Sequence, residues 1–181
     1  MNKQNDLKTT FERNKKALIL KPSLGQKTAV TKIRLRDGTT CDIEHGEWKF
    51  TADVGRDTGG NNAGPGPGVL QRAALGSCLA IGYSTWAAVL GVPIEHLEID
   101  IETDVDARGQ FGIDNIPPGY PSIRYRVTIG SPAPEEEIMK VLDKADAHSP
   151  VLDDFKRPLP VERKVKILSQ ENNHETTKDT K

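Results

Sequence analysis

Two thiols carry whatever redox or nucleophilic chemistry this sequence can do. Cys41 and Cys78 are its only cysteines, far apart and without the CxxC or Cys/His spacing of a zinc site or a redox dithiol. They are expected to be free thiols in a reducing, cytoplasmic compartment. Cys78 lies within Ala73 to Val92, a stretch without a charge. On pattern alone it reads as a small packed hydrophobe among Ala and Gly neighbours. Reactivity would require a stabilised thiolate, and about three turns past a helix start the helix dipole supplies little. A nearby cation would have to do it. Cys41 alternates with Ile43 on what reads as the buried face of a strand, so a structural thiol is expected there rather than a redox partner.

Other chemistries fit less well. His148-Ser149 suggests a hydrolase pair, but sequence neighbours rarely face each other and a third orienting group is lacking; helix termination is the better reading. The carboxylates from Glu98 to Asp106 recur at every second position, as on a solvated strand face, so no metal is expected. The Gly55 to Gly68 loop precedes a helix but lacks the Gly-Lys-Ser/Thr ending of a phosphate cradle, and its prolines remove donors. A pocket rim is expected instead. A net charge of −1 with interleaved signs leaves no cationic surface for nucleic acid.

The elements that must position these groups follow from pattern. Residues 1–26 read as a charged arm with a weak helical spacing in Leu7, Phe11 and Leu18, and no secretory leader. The folded domain is expected over 27–168. Alternation gives a three-stranded meander through Val30–Leu35, Cys41/Ile43 and Trp48–Ala52, with turns at Asp37-Gly38 and His45-Gly46. A helix runs from Pro67 to about Leu90, stopped by Gly91-Val92-Pro93. It is long enough to span a bilayer, but its Ser, Thr, Tyr and many small residues fit a buried central helix, and no membrane is expected. Leu97 to Val105 then alternates with carboxylates. Its expected partner, Ile123 to Ile129, places Arg124 and Arg126 opposite them. A second helix begins near Pro134 with three glutamates in its first turn, where the dipole favours anions. Ser149-Pro150 is expected to end it. A final strand is expected in Val161, Val165 and Ile167, and 169–181 reads as a disordered polar tail.

Three local regions then resemble one family. Gly64-Pro65-Gly66-Pro67-Gly68 leading into Arg72-Ala73-Ala74-Leu75-Gly76-Ser77-Cys78-Leu79-Ala80 is similar to the turn and cysteine helix of OsmC/Ohr proteins. Gly109, Phe111-Gly112 and Pro118-Gly119-Tyr120 resemble the loop between their central strands. Ala145-Asp146-Ala147-His148-Ser149-Pro150-Val151 resembles their Cys-Pro turn with one change. The resemblance, over about Thr28 to Ile167, implies an α+β fold of about six antiparallel strands around two central helices, in an interleaved homodimer. It also implies that Cys78 attacks a hydroperoxide and becomes a sulfenic acid, which a second cysteine resolves as a disulfide. Here that second place is Ser149, and the place of an arginine-orienting glutamate is Gly68. The resemblance puts the thiolate-stabilising arginine in the N-terminal sheet, leaving Arg34, Arg36 and Arg56 as alternatives.

The expected function is therefore a cofactor-independent, thiol-dependent reductase of organic hydroperoxides, or a protein that responds to peroxides or other electrophiles. Cys78 would be the peroxidatic thiol and an external dithiol the reductant. The alternative is a non-catalytic dimer binding a small apolar or thiol-reactive ligand at its interface.

Overall fold

The computed structural model describes residues 3–168; the tail expected at 169–181 lies outside them. Helix α1 (Lys3–Leu20) is followed by a 3-10 turn (Pro22–Gly25), then by strands β1 (Lys32–Asp37), β2 (Thr40–His45) and β3 (Trp48–Ala52). Helix α2 (Pro67–Leu90) leads to β4 (His96–Thr103), β5 (Ile123–Gly130), α3 (Glu135–Asp146) and α4 (Pro150–Lys156). The strands form two separate antiparallel sheets, β1-β2-β3 and β4-β5. This is the expected α+β class, and the N-terminal arm is a helix that lies against α2.

Local chemistry sets the bounds of α2. Pro67 fills the first helical position, where its missing N–H would have no intrahelical acceptor, and Gly91 closes the helix at φ 76°, a conformation that costs a residue without Cβ little. Leu75, Leu79 and Tyr83 are buried on one side of α2. Leu97, Ile99 and Ile101 of β4, Ile123, Tyr125 and Val127 of β5, and Leu142, Val151 and Phe155 pack against that cluster. Complete burial of a side chain such as Leu79 contributes roughly 2–3 kcal/mol by transfer from water. The opposite side of α2 is open in the single chain: Ala73, Ala74, Ser77 and Ser84 are exposed, and Ile81 is 68% exposed. The buried central helix read from the sequence is thus covered along one side only.

The β4–β5 register is the one the charges suggest, with Asp100 opposite Arg126 and Glu102 opposite Arg124. Arg124 pairs with Glu102 at 3.4 Å and Asp104 at 2.6 Å, and Arg126 with Glu102 at 3.5 Å. The carboxylate row is thereby neutralised by arginines.

Three expectations need correction. Among the described residues five strands form, because Val161, Val165 and Ile167 belong to no ladder and are 92%, 70% and 87% exposed. A strand exists only where another backbone supplies its hydrogen bonds, and alternation cannot supply one. Pro150 does not simply stop a helix: α3 ends at Asp146, and Pro150 opens α4, with Ser149 as N-cap accepting from the Leu152 N–H. Val105 lies beyond β4 and is exposed, not on its buried face.

Candidate functional site

Cys78 lies in the middle of α2, partly buried. Its Sγ is 3.3 Å from the Oγ of Ser149, at the opposite end of a 71-residue separation. Ser149 is 4% exposed and is held in place by its bond from the Leu152 N–H at 3.4 Å. The one pair that the resemblance places together is therefore in contact. His148, in turn, is directed away from Ser149. Its Nδ1 bonds the Lys144 carbonyl oxygen at 2.7 Å, and its ring packs on Trp86, which meets Phe11 of α1 edge-on. No hydrolytic triad forms.

A second group fixes the turn that carries Ser149. Tyr83 of α2 and Tyr125 of β5 each donate a 2.7 Å hydrogen bond to Asp146, one to each carboxylate oxygen. Burial, followed by the bond to Asp146, pushes the Tyr125 phenol up to about 12 and raises the Tyr83 phenol further. Both therefore stay protonated donors at neutral pH. The clamp ties the end of α3 to α2 and β5, and Ser149 follows Asp146 by three residues. Sequence reading missed it: each residue belongs to a different element, and neither Tyr83 nor Tyr125 departs from its local pattern.

The place of the absent glutamate is already filled. A Cβ on Gly68 would lie 2.8 Å from the Tyr120 hydroxyl and 3.6 Å from Arg72 Nη1. Tyr120 donates to the Gly68 carbonyl oxygen at 3.4 Å, while Arg72 donates to Thr103 Oγ1 at 3.3 Å and to the Tyr120 oxygen at 3.5 Å. A phenol and an arginine of the same helix thus occupy the space a carboxylate would need.

The three candidate arginines are not gathered at the thiol. Arg34 and Arg36 on β1 pair with Glu44 at 3.9 Å and Asp42 at 3.7 Å on β2. Arg56 lies in the 3-10 turn Arg56–Thr58 after β3. Among the described residues, no hydrogen bond or ion pair joins any of them to Cys78. Cys41 is likewise local, partly exposed with its Sγ 3.7 Å from the Thr39 carbonyl oxygen.

The glycine-rich loop serves an internal anion. Asp53, 2% exposed, accepts from Thr39 Oγ1 (2.7 Å), Thr40 Oγ1 (3.0 Å) and the N–H groups of Val54, Asn61 and Ala63 (2.8, 3.0 and 3.2 Å). The Thr39 hydroxyl leads in holding this carboxyl far below the usual range; burial opposes it, and the Ala63, Val54 and Thr40 donors assist. Two of the loop's N–H groups, those of Asn61 and Ala63, point inward to Asp53.

A cleft of about 490 Å³ is walled by Gln71, Tyr120, Ile123, Tyr125, Leu152 and Phe155 among others, and neither Cys78 nor Ser149 lines it. One of these walls is tied to the pair: Leu152 donates its N–H to Ser149. A larger cleft, about 610 Å³, runs between the end of α2 and α3 past Leu90, Lys140 and Lys144. Neither cysteine lines it.

Comparison with known proteins places the arrangement. The model of the family described as OsmC-like protein matches residues 59–164. The fold is similar to an OsmC-like protein from Mycoplasma pneumoniae, at TM-score 0.62 and 18% identity over 72% of this chain and 89% of that one. It is also similar to an organic hydroperoxide resistance protein OsmC from Legionella pneumophila, at TM-score 0.53 and 17% identity over 72% and 90%. A third similar structure, an organic hydroperoxide resistance protein from Elizabethkingia anophelis, aligns at TM-score 0.51 and 15% identity over 71% and 87%. Among functionally curated proteins no significant match is found.

Proposed function

We propose, for a chain that belongs to the OsmC-like protein family, that it is a thiol-dependent reductase of organic hydroperoxides with Cys78 as the attacking sulfur. The observation that carries this is the 3.3 Å approach of Cys78 Sγ to the buried Ser149 Oγ, at the position where the sequence resemblance puts a disulfide partner. A thiolate at Cys78 attacks the distal peroxide oxygen. An S–O bond forms, the O–O bond breaks, and the alkoxide leaves and takes a proton from water. Sulfur is oxidised by two electrons to the sulfenic acid and the peroxide is reduced to an alcohol. Ser149 cannot close a disulfide, so an external dithiol restores Cys78: one thiol displaces water to give a mixed disulfide, and the second releases Cys78.

We further infer that the active form is a homodimer. Ile33 and Leu35 of β1, Trp48 and Phe50 of β3, and Ile81 of α2 are 59%, 68%, 68%, 46% and 68% exposed, an apolar surface of the kind that a second copy covers. The cation for the thiolate would then be Arg34, Arg36 or Arg56 from either subunit. Steady-state consumption of cumene hydroperoxide with dithiothreitol tests the enzyme reading. Turnover that disappears in Cys78→Ser and survives in Cys41→Ser is expected. Equal turnover in Cys78→Ser and parent would exclude it.

A second reading, a non-catalytic dimer with Cys78 as contact or sensor for a small apolar ligand, is favoured by one feature. Tyr120 holds the place of the glutamate, beside a cleft of about 490 Å³. Ligand-dependent protection of Cys78 from alkylation without peroxide turnover would distinguish it.

A further inference from the structure

Ser149 is arranged to do more than occupy the place of a thiol. It is 4% exposed, and its Oγ already accepts the Leu152 N–H. The hydroxyl hydrogen is therefore left for another acceptor, and Cys78 Sγ lies at 3.3 Å. With a neutral thiol either group can donate. With a thiolate only the hydroxyl can, and a bond to an ionised acceptor is about twice as strong as a neutral one. The Tyr83–Asp146–Tyr125 clamp fixes the preceding turn, so the donor needs no reorganisation when charge develops.

We propose that Ser149 is a catalytic hydrogen-bond donor that makes Cys78 a single-cysteine site: it holds the thiolate for attack and then the sulfenic acid until an external thiol arrives. The proposal rests on the hydroperoxide reading. In the resolving step the thiol sulfur bonds Cys78 Sγ, the S–O bond breaks, and the oxygen leaves as water with the thiol's proton. A second external thiol is oxidised with the first to a disulfide and returns Cys78 to its reduced form. Because serine forms no S–S bond, the oxidised site stays open to thiols from solution, where a second cysteine would close it internally.

The test uses the full chain carrying Cys41→Ser, so that Cys78 is its sole thiol. Rates of Cys78 alkylation by iodoacetamide and of oxidation by cumene hydroperoxide are measured at pH 7. Ser149→Ala is expected to slow both by about tenfold, and Ser149→Thr, which keeps hydroxyl and cap, to remain within about twofold of the parent. Ser149→Gly, tolerated at an N-cap, should behave as Ser149→Ala and serves if that variant does not fold. Alkylation unchanged in the Ala or Gly variant, or a Thr variant as slow as Ala, overturns the donor role. Alkylation slowed in Ala and Gly but kept in Thr, with no oxidation of any form by peroxide, would uphold the donor role and remove the hydroperoxide reading.

Discussion

The two sheets of this molecule are built from the same alternating pattern and end in opposite situations. Sheet β4–β5 turns Leu97, Ile99, Ile101, Ile123, Tyr125 and Val127 onto α2 and closes a core around Leu75, Leu79 and Tyr83. Sheet β1–β3 also gathers an apolar face, since Ile33 pairs with Ile43 and Ile43 with Phe50. Yet Ile33 and Phe50 remain 59% and 46% exposed. Each sheet has its own carboxylate anchor: Asp146 takes two phenols beside the thiol, and Asp53 takes hydroxyls and backbone N–H groups beside the meander. The difference teaches that the chain closes one half of its hydrophobic structure and leaves the other half uncovered, as the face that the proposed homodimer would bury.

Four changes sharpen or break that contrast. The largest effect is expected from Phe50→Lys, which places a charge in the uncovered face. Association should be lost outright in light scattering, while the thiol half keeps its fold. A variant that associates like the parent would break the division between the halves. Next comes Leu79→Ala in the closed core, expected to cost about 2–5 kcal/mol in urea denaturation because the site cannot collapse around the lost atoms. A cost no larger than that of a surface substitution would show that this half is not closed.

The anchors give opposite pH dependences. The phenols of Tyr83 and Tyr125 are raised above their ordinary value of 10.0. In the unfolded chain they would ionise first, so their contribution is complete below pH 10 and shrinks as pH rises through the folded values. Stability is expected to fall above pH 10, and Tyr125→Phe should flatten part of that fall while costing about 1 kcal/mol at neutral pH. An unchanged alkaline slope in Tyr125→Phe would remove the clamp from the account of stability. Asp53 is held below its ordinary 3.8, so its contribution is complete at neutral pH and is lost as pH falls below about 4. Asp53→Asn, whose amide nitrogen cannot accept from the donors around it, should lower the melting temperature at pH 7 and weaken the acid dependence of the β1–β3 half. A variant that melts like the parent at both pH 7 and pH 3 would contradict this.

Legibility in the sequence followed how local each cause is. Pro67 and Gly91 bound α2 by their own backbone chemistry, and the register of β4–β5 was visible because carboxylates and arginines alternate with apolar residues on both strands. Helix α4 was not, since seven residues after a proline carry too little periodicity to show. The strand expected at Val161, Val165 and Ile167 had the right alternation and found no partner backbone among the described residues. At the site, the contact between Cys78 and Ser149 came only from resemblance to a family, because nothing in a 71-residue separation encodes a 3.3 Å approach. Tyr120 in the space above Gly68 was invisible for the same reason.

Trapping the sulfenic acid tests the central claim most directly. Reduced protein is mixed with one equivalent of cumene hydroperoxide in the presence of dimedone, adduct formation at Cys78 is followed by mass spectrometry, and Cys78→Ser is the blank. The expected result is a rapid adduct confined to Cys78 and formed faster with the organic peroxide than with hydrogen peroxide. Labelling no faster than that of free cysteine would make Cys78 an inert thiol and contradict the proposed function.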